Sequence, residues 1–263
     1  MIYIDKYAYI SKLSGEDPAL KFLFSSATLG VCLWADSIPI SLFIVACMAW
    51  ASVKKGGLPF IFYCKLMLIP MSFLIMGVLT IAVQVSARPE EFLLSYRLRG
   101  ITVGATGIGL QTAAGLFFKA LGAVSCLYFL SLTTPMIEML SVLRKLKVPR
   151  LMVELMGLVY RFIFLMMDMA DGMYTAQASR LGYTTLSASY RSLAGMASSL
   201  FIRSYKRTQD LYAALESRGY DGEIHVLERR HDISPWKYAA VIAWVCALIT
   251  AAMVLDRSMG GAR

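Results

Sequence analysis

Apolar runs of near-membrane length recur along this chain of 263 residues and constrain its fold more than any other feature. A helix that crosses a bilayer needs about 20 mostly apolar residues. An ordinary soluble domain of this size could not bury so much apolar surface, and a disordered chain would be more polar. The runs therefore predict an all-α, polytopic helical membrane protein with about five transmembrane helices, at 19–35, 37–53, 58–85, within 102–134, and at 238–255.

The segment 135–237 has a different character, because charged residues return at helical spacing and interrupt every apolar run. Thirteen of the 26 Lys and Arg residues lie between Arg144 and Arg230. Apolar residues still recur at three- and four-residue steps over 149–180 and 186–218, which predicts two long amphipathic helices. The chain is therefore divided into a transmembrane region with four spans, a basic interfacial lobe, and a last span with a C-terminal tail: 1–134, 135–237 and 238–263.

The net charge of +9 fits the rule that cytoplasmic loops of membrane proteins are basic. Nucleic-acid binding is disfavoured, because the basic lobe lacks an interleaved pattern of aromatic and basic residues. The Lys54-Lys55 loop and the lobe at 135–237 are therefore both expected in the cytoplasm. With two crossings between them, the N-terminus is cytoplasmic and the C-terminus lies outside, in the inner (plasma) membrane.

The chain lacks the features of a self-contained enzyme or pump. It has no phosphate-binding loop of the G-x-x-x-x-G-K-[ST] type, and no acidic residue or His lies in the middle of a span. Lys21 is expected to snorkel to the membrane interface, and Lys65 and Lys119 are expected to snorkel or to pair there. No catalytic residue, cofactor site or metal site is predicted.

Other polar and small residues receive structural interpretations. The carboxylates of Asp168 and Asp171, one helical turn apart, are expected to face solvent or a nearby base rather than to perform acid–base chemistry. His225 and His231 are expected to be solvated. The spacings Gly100-x-x-x-Gly104 and Ala105-x-x-x-Gly109 predict close helix packing. The five cysteines are expected to be small buried side chains without a disulfide framework.

The most informative feature is a repeated ending of the two amphipathic helices, Ser179-Arg180-Leu181-Gly182 and Ser217-Arg218-Gly219. An Arg in the last turn complements the helix dipole, and a Gly ends the helix, so capping alone explains each copy. An exposed Arg at a helix end also suits docking into a partner's groove, where its planar fork pairs with carboxylates or carbonyls. The spacing leaves these two interpretations open.

At these residues the chain resembles the T component of energy-coupling factor (ECF) transporters, and the cobalt-type CbiQ branch most of all. The family signature is small residue–Arg–Gly, which Ser217-Arg218-Gly219 matches and from which the first copy departs by inserting Leu181. The resemblance rests on motifs in a fixed order: Ile4-Asp5-Lys6-Tyr7-Ala8-Tyr9, Asp17-Pro18-Ala19-Leu20-Lys21, Thr133-Thr134-Pro135, Glu138, Leu143, Val148-Pro149, Tyr160-Arg161-Phe162 and the two Arg-Gly motifs.

The resemblance implies a transmembrane coupling subunit without an active site, part of an ATP-driven importer of cobalt. Two ATP-binding-cassette ATPase subunits would dock on the helix ends, and a substrate-binding membrane subunit would bind beside the chain. The docking residues implied are Ser179, Arg180, Gly182, Ser217, Arg218 and Gly219. Nickel or a vitamin as the cargo remains an alternative, as does a self-contained secondary transporter, although no inverted repeat is visible.

Overall fold

The structure, a computed structural model, describes residues 3–35, 37–86, 92–98, 101–220 and 235–260, with side chains for 7–35, 37–81, 107, 109–220 and 235–255. A 3-10 turn (Lys12–Gly15) follows the first helix, and a π-helical turn (Ala51–Lys55) extends the third. The helices are α1 (Tyr3–Ile10), α2 (Pro18–Trp34), α3 (Ile38–Trp50), α4 (Phe60–Ala82), α5 (Gly107–Thr133), α6 (Met136–Lys145), α7 (Arg150–Ser179), α8 (Leu186–Glu216) and α9 (Pro235–Gly260).

The membrane-spanning helices follow the apolar runs of the sequence. Within the described residues, four helical segments are long and apolar enough to cross a membrane: Ile38–Lys55, Phe60–Ile81, Gly109–Thr133 and Pro235–Leu255. A fifth apolar helix, α2, has 17 residues, the lower end of the range for a span. These helices coincide with the five predicted spans and confirm the helical membrane fold.

Three short segments between α4 and α5 differ from the prediction, which assigned the first and the last of them to spanning helices. They form a small antiparallel sheet of β1 (Val83–Ser86), β2 (Phe92–Leu98) and β3 (Ile101–Thr106), with β3 in the middle. The third span therefore ends at Ala82 and the fourth begins at Gly107. Gly104 and Ala105 lie in β3, so the predicted helix packing through their four-residue spacings is wrong.

The helix α5 lies at the centre of the membrane-spanning part, where it packs against α1, α2, α3 and α4. The closest approach is at Gly122, where a Cβ atom would lie 2.6 Å from Cys32 Sγ on α2. Cys32 and Cys126 are fully buried in this core, as predicted, whereas Cys64 and Cys246 are exposed on the helix surfaces, which the sequence interpretation did not expect. The small residues Gly122 and Cys32 thus allow α5 and α2 to meet closely.

Residues 11–21, which we call the junction segment, connect the ends of several spans on one face of the membrane. Ser11 Oγ and the Lys12 N–H donate to the Gly56 carbonyl in the α3–α4 loop, at 3.1 and 3.2 Å. Lys21 Nζ donates to the Thr133 carbonyl at the end of α5, and Tyr238 Oη at the start of α9 donates to Asp17. The sheet lies at the opposite ends of α4 and α5, so it belongs to the other face.

The chain forms two compact units, which we describe separately. The membrane unit comprises residues 2–139 and 230–263, and the coupling unit comprises residues 140–229. The coupling unit contains α7 and α8, of 30 and 31 residues, which match the two predicted amphipathic helices. No described residue of α8 is buried, and large apolar side chains on both helices are exposed: Leu155, Ile163, Leu193 and Phe201.

Candidate docking site

The first candidate docking residue, Arg180, is the cap of α7. The Leu181 N–H donates to the Ala178 carbonyl at 3.0 Å, and the Gly182 N–H donates to the Gln177 carbonyl at 2.9 Å. Leu181 has a φ of 60°, in the left-handed region. This pair of hydrogen bonds around a left-handed residue is the Schellman motif that ends many helices.

The second candidate residue, Arg218, caps α8 in the same way. The Gly219 N–H donates to the Glu216 carbonyl and the Tyr220 N–H to the Leu215 carbonyl, both at 3.0 Å. Gly219 has a φ of 73°, which glycine adopts without steric cost. Arg180 and Arg218 therefore hold the same position, one residue before the left-handed residue of the motif.

The inserted Leu181 consequently does not change the geometry of the first helix end. Leu181 occupies the left-handed position that Gly219 occupies in the second copy, so the expectation that Gly182 ends α7 is wrong in detail. Gly182 is required for a different reason, because a Cβ there would lie 2.7 Å from Ser192 Oγ and 2.9 Å from the Gln177 carbonyl oxygen.

The turn between α7 and α8 is braced by side chains from both helices. Gln177 Nε2 donates to the Ser192 carbonyl at 3.0 Å, and Ser192 Oγ donates to the Gly182 carbonyl at 2.9 Å. Tyr183 Oη donates to Gln177 Oε1 at 2.6 Å, while its ring packs on Tyr174. These contacts fix the backbone that carries Arg180, and they were not visible in the spacing of the sequence motif.

Both arginine side chains are exposed, together with the flanking Ser179 and Ser217. Within the described ranges neither guanidinium forms a hydrogen bond or an ion pair. The serine hydroxyls donate to carbonyls of their own helices, Thr175 and Ala214. Each helix end thus presents an unpaired planar cation, while its backbone polar groups are satisfied by the cap.

A groove of about 400 Å³ lies between α7 and α8. Its apolar residues are partly exposed, and its charged residues are one Arg and one Asp from each helix. Asp168 is one of these, and Asp171 is also exposed, so both carboxylates face solvent as predicted. The lining consists of Leu158, Arg161, Phe162, Leu165, Asp168, Arg207, Asp210, Leu211 and Ala214.

A second polar cluster, which sequence reasoning missed, centres on Lys21 in the membrane unit. Lys21 is 2% exposed, and its Nζ donates to the carbonyls of Leu13 and Thr133, each at 3.1 Å. The Glu138 carboxylate completes the site at 3.4 Å. The expectation that Lys21 snorkels is therefore wrong, because its ammonium group is buried and paired. Lys65 is exposed and Lys119 is half-buried.

Among the side chains that the structure describes, no group of three or more His, Cys, Asp or Glu could hold a metal ion. His225 and His231 lie outside the described residues.

Comparison with known proteins shows the family to which the chain belongs. The family model described as CbiQ, cobalt transport protein, matches residues 11–228, which include the Lys21 cluster and both arginine caps. The chain belongs to the CbiQ family, the T components of ECF transporters.

Three relatives of this CbiQ-family chain show how far the similarity extends. The cobalt transport protein CbiQ of Salmonella typhimurium is 31% identical, over 86% of this chain and 100% of the relative. The CbiQ protein of Rhodobacter capsulatus is 28% identical over 96% and 98% of the two chains. The transmembrane protein EcfT of Listeria innocua is 29% identical over 77% and 76%.

Membership in the CbiQ family defines the chemical role of the chain. It is a multi-pass membrane protein and a non-catalytic subunit of a transporter.

Proposed function

We propose that this chain couples ATP hydrolysis to cobalt import, as the transmembrane subunit that links two ATPase subunits to a substrate-binding membrane subunit. The observation that carries the proposal is the equivalence of Arg180 and Arg218, which cap two helices in the same motif. Two helix ends with the same capping motif suit two similar partners, one ATPase subunit for each end.

The docking residues are Ser179, Arg180 and Gly182 at the first end and Ser217, Arg218 and Gly219 at the second. Because the Schellman motif already satisfies the backbone, each guanidinium is free to form paired hydrogen bonds with a partner's carboxylates or carbonyls. The glycines shape the ends: Gly219 permits the left-handed turn, and Gly182 permits contact between the turn and α8.

The exposed apolar residues of α7 and α8 form the contact for the substrate-binding subunit. Leu155, Ile163, Leu193 and Phe201 would each be covered by an apolar partner surface. Large exposed apolar side chains mark interaction surfaces where they lie together. The ligands of the cargo ion belong to that partner.

We assign the face that carries the junction segment to the cytoplasm. The Lys54-Lys55 loop lies on that face, and basic loops remain in the cytoplasm. The N-terminus and the lobe at 135–237 are then cytoplasmic, the sheet of β1–β3 faces outward, and the chain ends outside.

The docking role predicts that Arg218→Glu reduces recovery of co-expressed ATPase subunits with the tagged chain in mild detergent. Losing a hydrogen bond to a charged group costs about 1.5–3 kcal/mol, which is about tenfold or more in affinity. Arg203→Glu, at an exposed position inside α8, is the matched control and should leave recovery unchanged. Normal recovery with Arg218→Glu would contradict the docking role.

The cargo is tested by uptake of radioactive Co²⁺ in cells that express the whole complex. The names of the Salmonella and Rhodobacter relatives support cobalt. Saturable Co²⁺ uptake that Ni²⁺ inhibits only weakly is expected. Preferential Ni²⁺ uptake, or uptake of a vitamin and neither metal, would replace cobalt with that cargo, and uptake by the purified chain alone would establish a secondary transporter.

A further inference from the structure

The junction segment contacts both connections between the membrane unit and the coupling unit. The chain leaves the membrane unit after Met139 and returns to it between the end of α8 and the start of α9. Glu138, directly before the exit, pairs with Lys21. Lys237 and Tyr238, in the first turn of α9, contact Glu16 and Asp17. Eleven consecutive residues therefore hold both connections.

The exit contact uses the full donor capacity of one buried ammonium group. Lys21 Nζ has three N–H donors, and its three acceptors belong to the junction segment, the last residue of α5 and the first turn of α6. A buried ion pair is a weak source of stability compared with apolar packing, because the charges lose their hydration. What the lysine supplies is a fixed geometry at the point where α5 gives way to α6.

The return contact uses the carboxylate that begins α2. Asp17 Oδ1 accepts from the Ala19 N–H at 3.1 Å, which caps α2, and Asp17 Oδ2 accepts from Tyr238 Oη at 2.7 Å. Glu16 accepts from Lys237 Nζ at 2.6 Å. A displacement of the first turn of α9 consequently acts on the first turn of α2.

We propose that the junction segment is the joint that transmits movement of the coupling unit into the membrane unit, with Lys21 and Asp17 as positioning residues. Both covalent connections are held by the same segment, so movement that arrives through either one acts on the start of α2. Ser11 and Lys12 carry it onward to the α3–α4 loop through Gly56. This inference rests on the proposed function, because ATPase docking supplies the movement.

The test uses the full chain in complex with its ATPase and substrate-binding subunits in proteoliposomes. Co²⁺ uptake and ATP hydrolysis are measured together, for Glu138→Gln at the exit and Tyr238→Phe at the return. We expect uptake per ATP to fall about fivefold or more, the lower end of typical coupling between sites, while complex recovery and ATPase rate are unchanged. Tyr128→Phe is the matched control, since its hydroxyl donates to the Leu66 carbonyl within the membrane unit and has no contact with the junction segment among the described residues.

A second measurement follows backbone hydrogen exchange with and without a non-hydrolysable ATP analogue, and it does not depend on the cargo. In the unsubstituted complex the analogue should change exchange in both units, and in the two variants only in the coupling unit. Tyr238→Phe removes a single hydroxyl, so it keeps the test valid if Glu138→Gln fails to fold.

The outcomes separate this inference from the proposed function. If the variants keep the ratio of uptake to hydrolysis and the exchange response in both units, the proposal that the junction segment is the joint is overturned. Loss of complex recovery in parallel with uptake overturns it in favour of a purely structural role. If the unsubstituted complex responds to the analogue but does not import Co²⁺, only the assignment of cobalt as the cargo is contradicted. The hydrogen-exchange data for the two variants then test whether the junction segment is the joint. No response in either unit contradicts the ATPase docking itself.

Discussion

At the scale of single residues, the two arginine caps differ in the residue that holds the left-handed position. Gly219 adopts its left-handed conformation freely, whereas Leu181 adopts the same conformation against the contact of its Cβ with the following carbonyl. The first helix end thus maintains a strained residue, and the hydrogen bonds from Gln177, Ser192 and Tyr183 hold it in place. A helix end with fixed geometry is the consequence.

Substitutions at Leu181 and Gly219 should have opposite effects on the stability of the two helix ends. Leu181→Gly should slow hydrogen exchange of the Gly182 amide about fivefold, and Gly219→Ala should speed exchange of the Tyr220 amide by a similar factor, since a left-handed non-glycine residue costs roughly 1–2 kcal/mol. Exchange of the two amides is followed by mass spectrometry in detergent. A slower Tyr220 amide in Gly219→Ala would contradict the assigned geometry.

The residue-level predictions succeeded where the interactions are local. Arg180 and Arg218 were predicted as caps because the hydrogen bonds of a helix end join residues within five positions of one another. Lys21 was misinterpreted because its partners Thr133 and Glu138 lie 112 and 117 residues away. Leu181 could not be assigned to the left-handed position of the cap, because that position is usually occupied by glycine.

At the scale of elements, α5 organises the membrane unit through a close approach to α2. Gly122 faces Cys32, and no larger residue fits without a shift of the sulfur or of the helix. Gly122→Ala should therefore destabilise the purified chain by about 1–3 kcal/mol, the usual cost of overpacking.

A second substitution isolates this contact. Cys32→Ala removes the sulfur atom that lies 2.6 Å from the added Cβ, so the double variant should recover most of the stability lost in Gly122→Ala. Thermal unfolding in mild detergent measures both variants. Strictly additive losses in the double variant would show that the two helices do not meet at this point.

The spans were predicted from apolar length, but the sheet between α4 and α5 was not. Hydropathy does not distinguish a strand from a helix in a short apolar stretch. The β-branched run Ile101-Thr102-Val103 is the signal that could have identified β3, because such residues favour strands. Because β3 is followed directly by the apolar residues of α5, the sequence gives no break in hydropathy at the boundary between strand and helix at Gly107.

At the scale of the whole molecule, the hydrogen bonds of the junction segment predict which loops share a face. A cysteine placed at Lys54 and one placed at Ser95, each in a chain without its native cysteines, should react from opposite sides of the membrane. An impermeant maleimide applied to intact cells should label position 95 and leave position 54 unlabelled until the cells are opened. Labelling of both positions in intact cells would contradict the topology.

The central claim is that two matched helix ends each hold one ATPase subunit. The most direct measurement is the number of ATPase subunits per chain in the nucleotide-free complex, determined by native mass spectrometry. The account predicts two for the unsubstituted chain, one for Arg180→Glu or Arg218→Glu, and none for the double variant. A double variant that retains two ATPase subunits would contradict it.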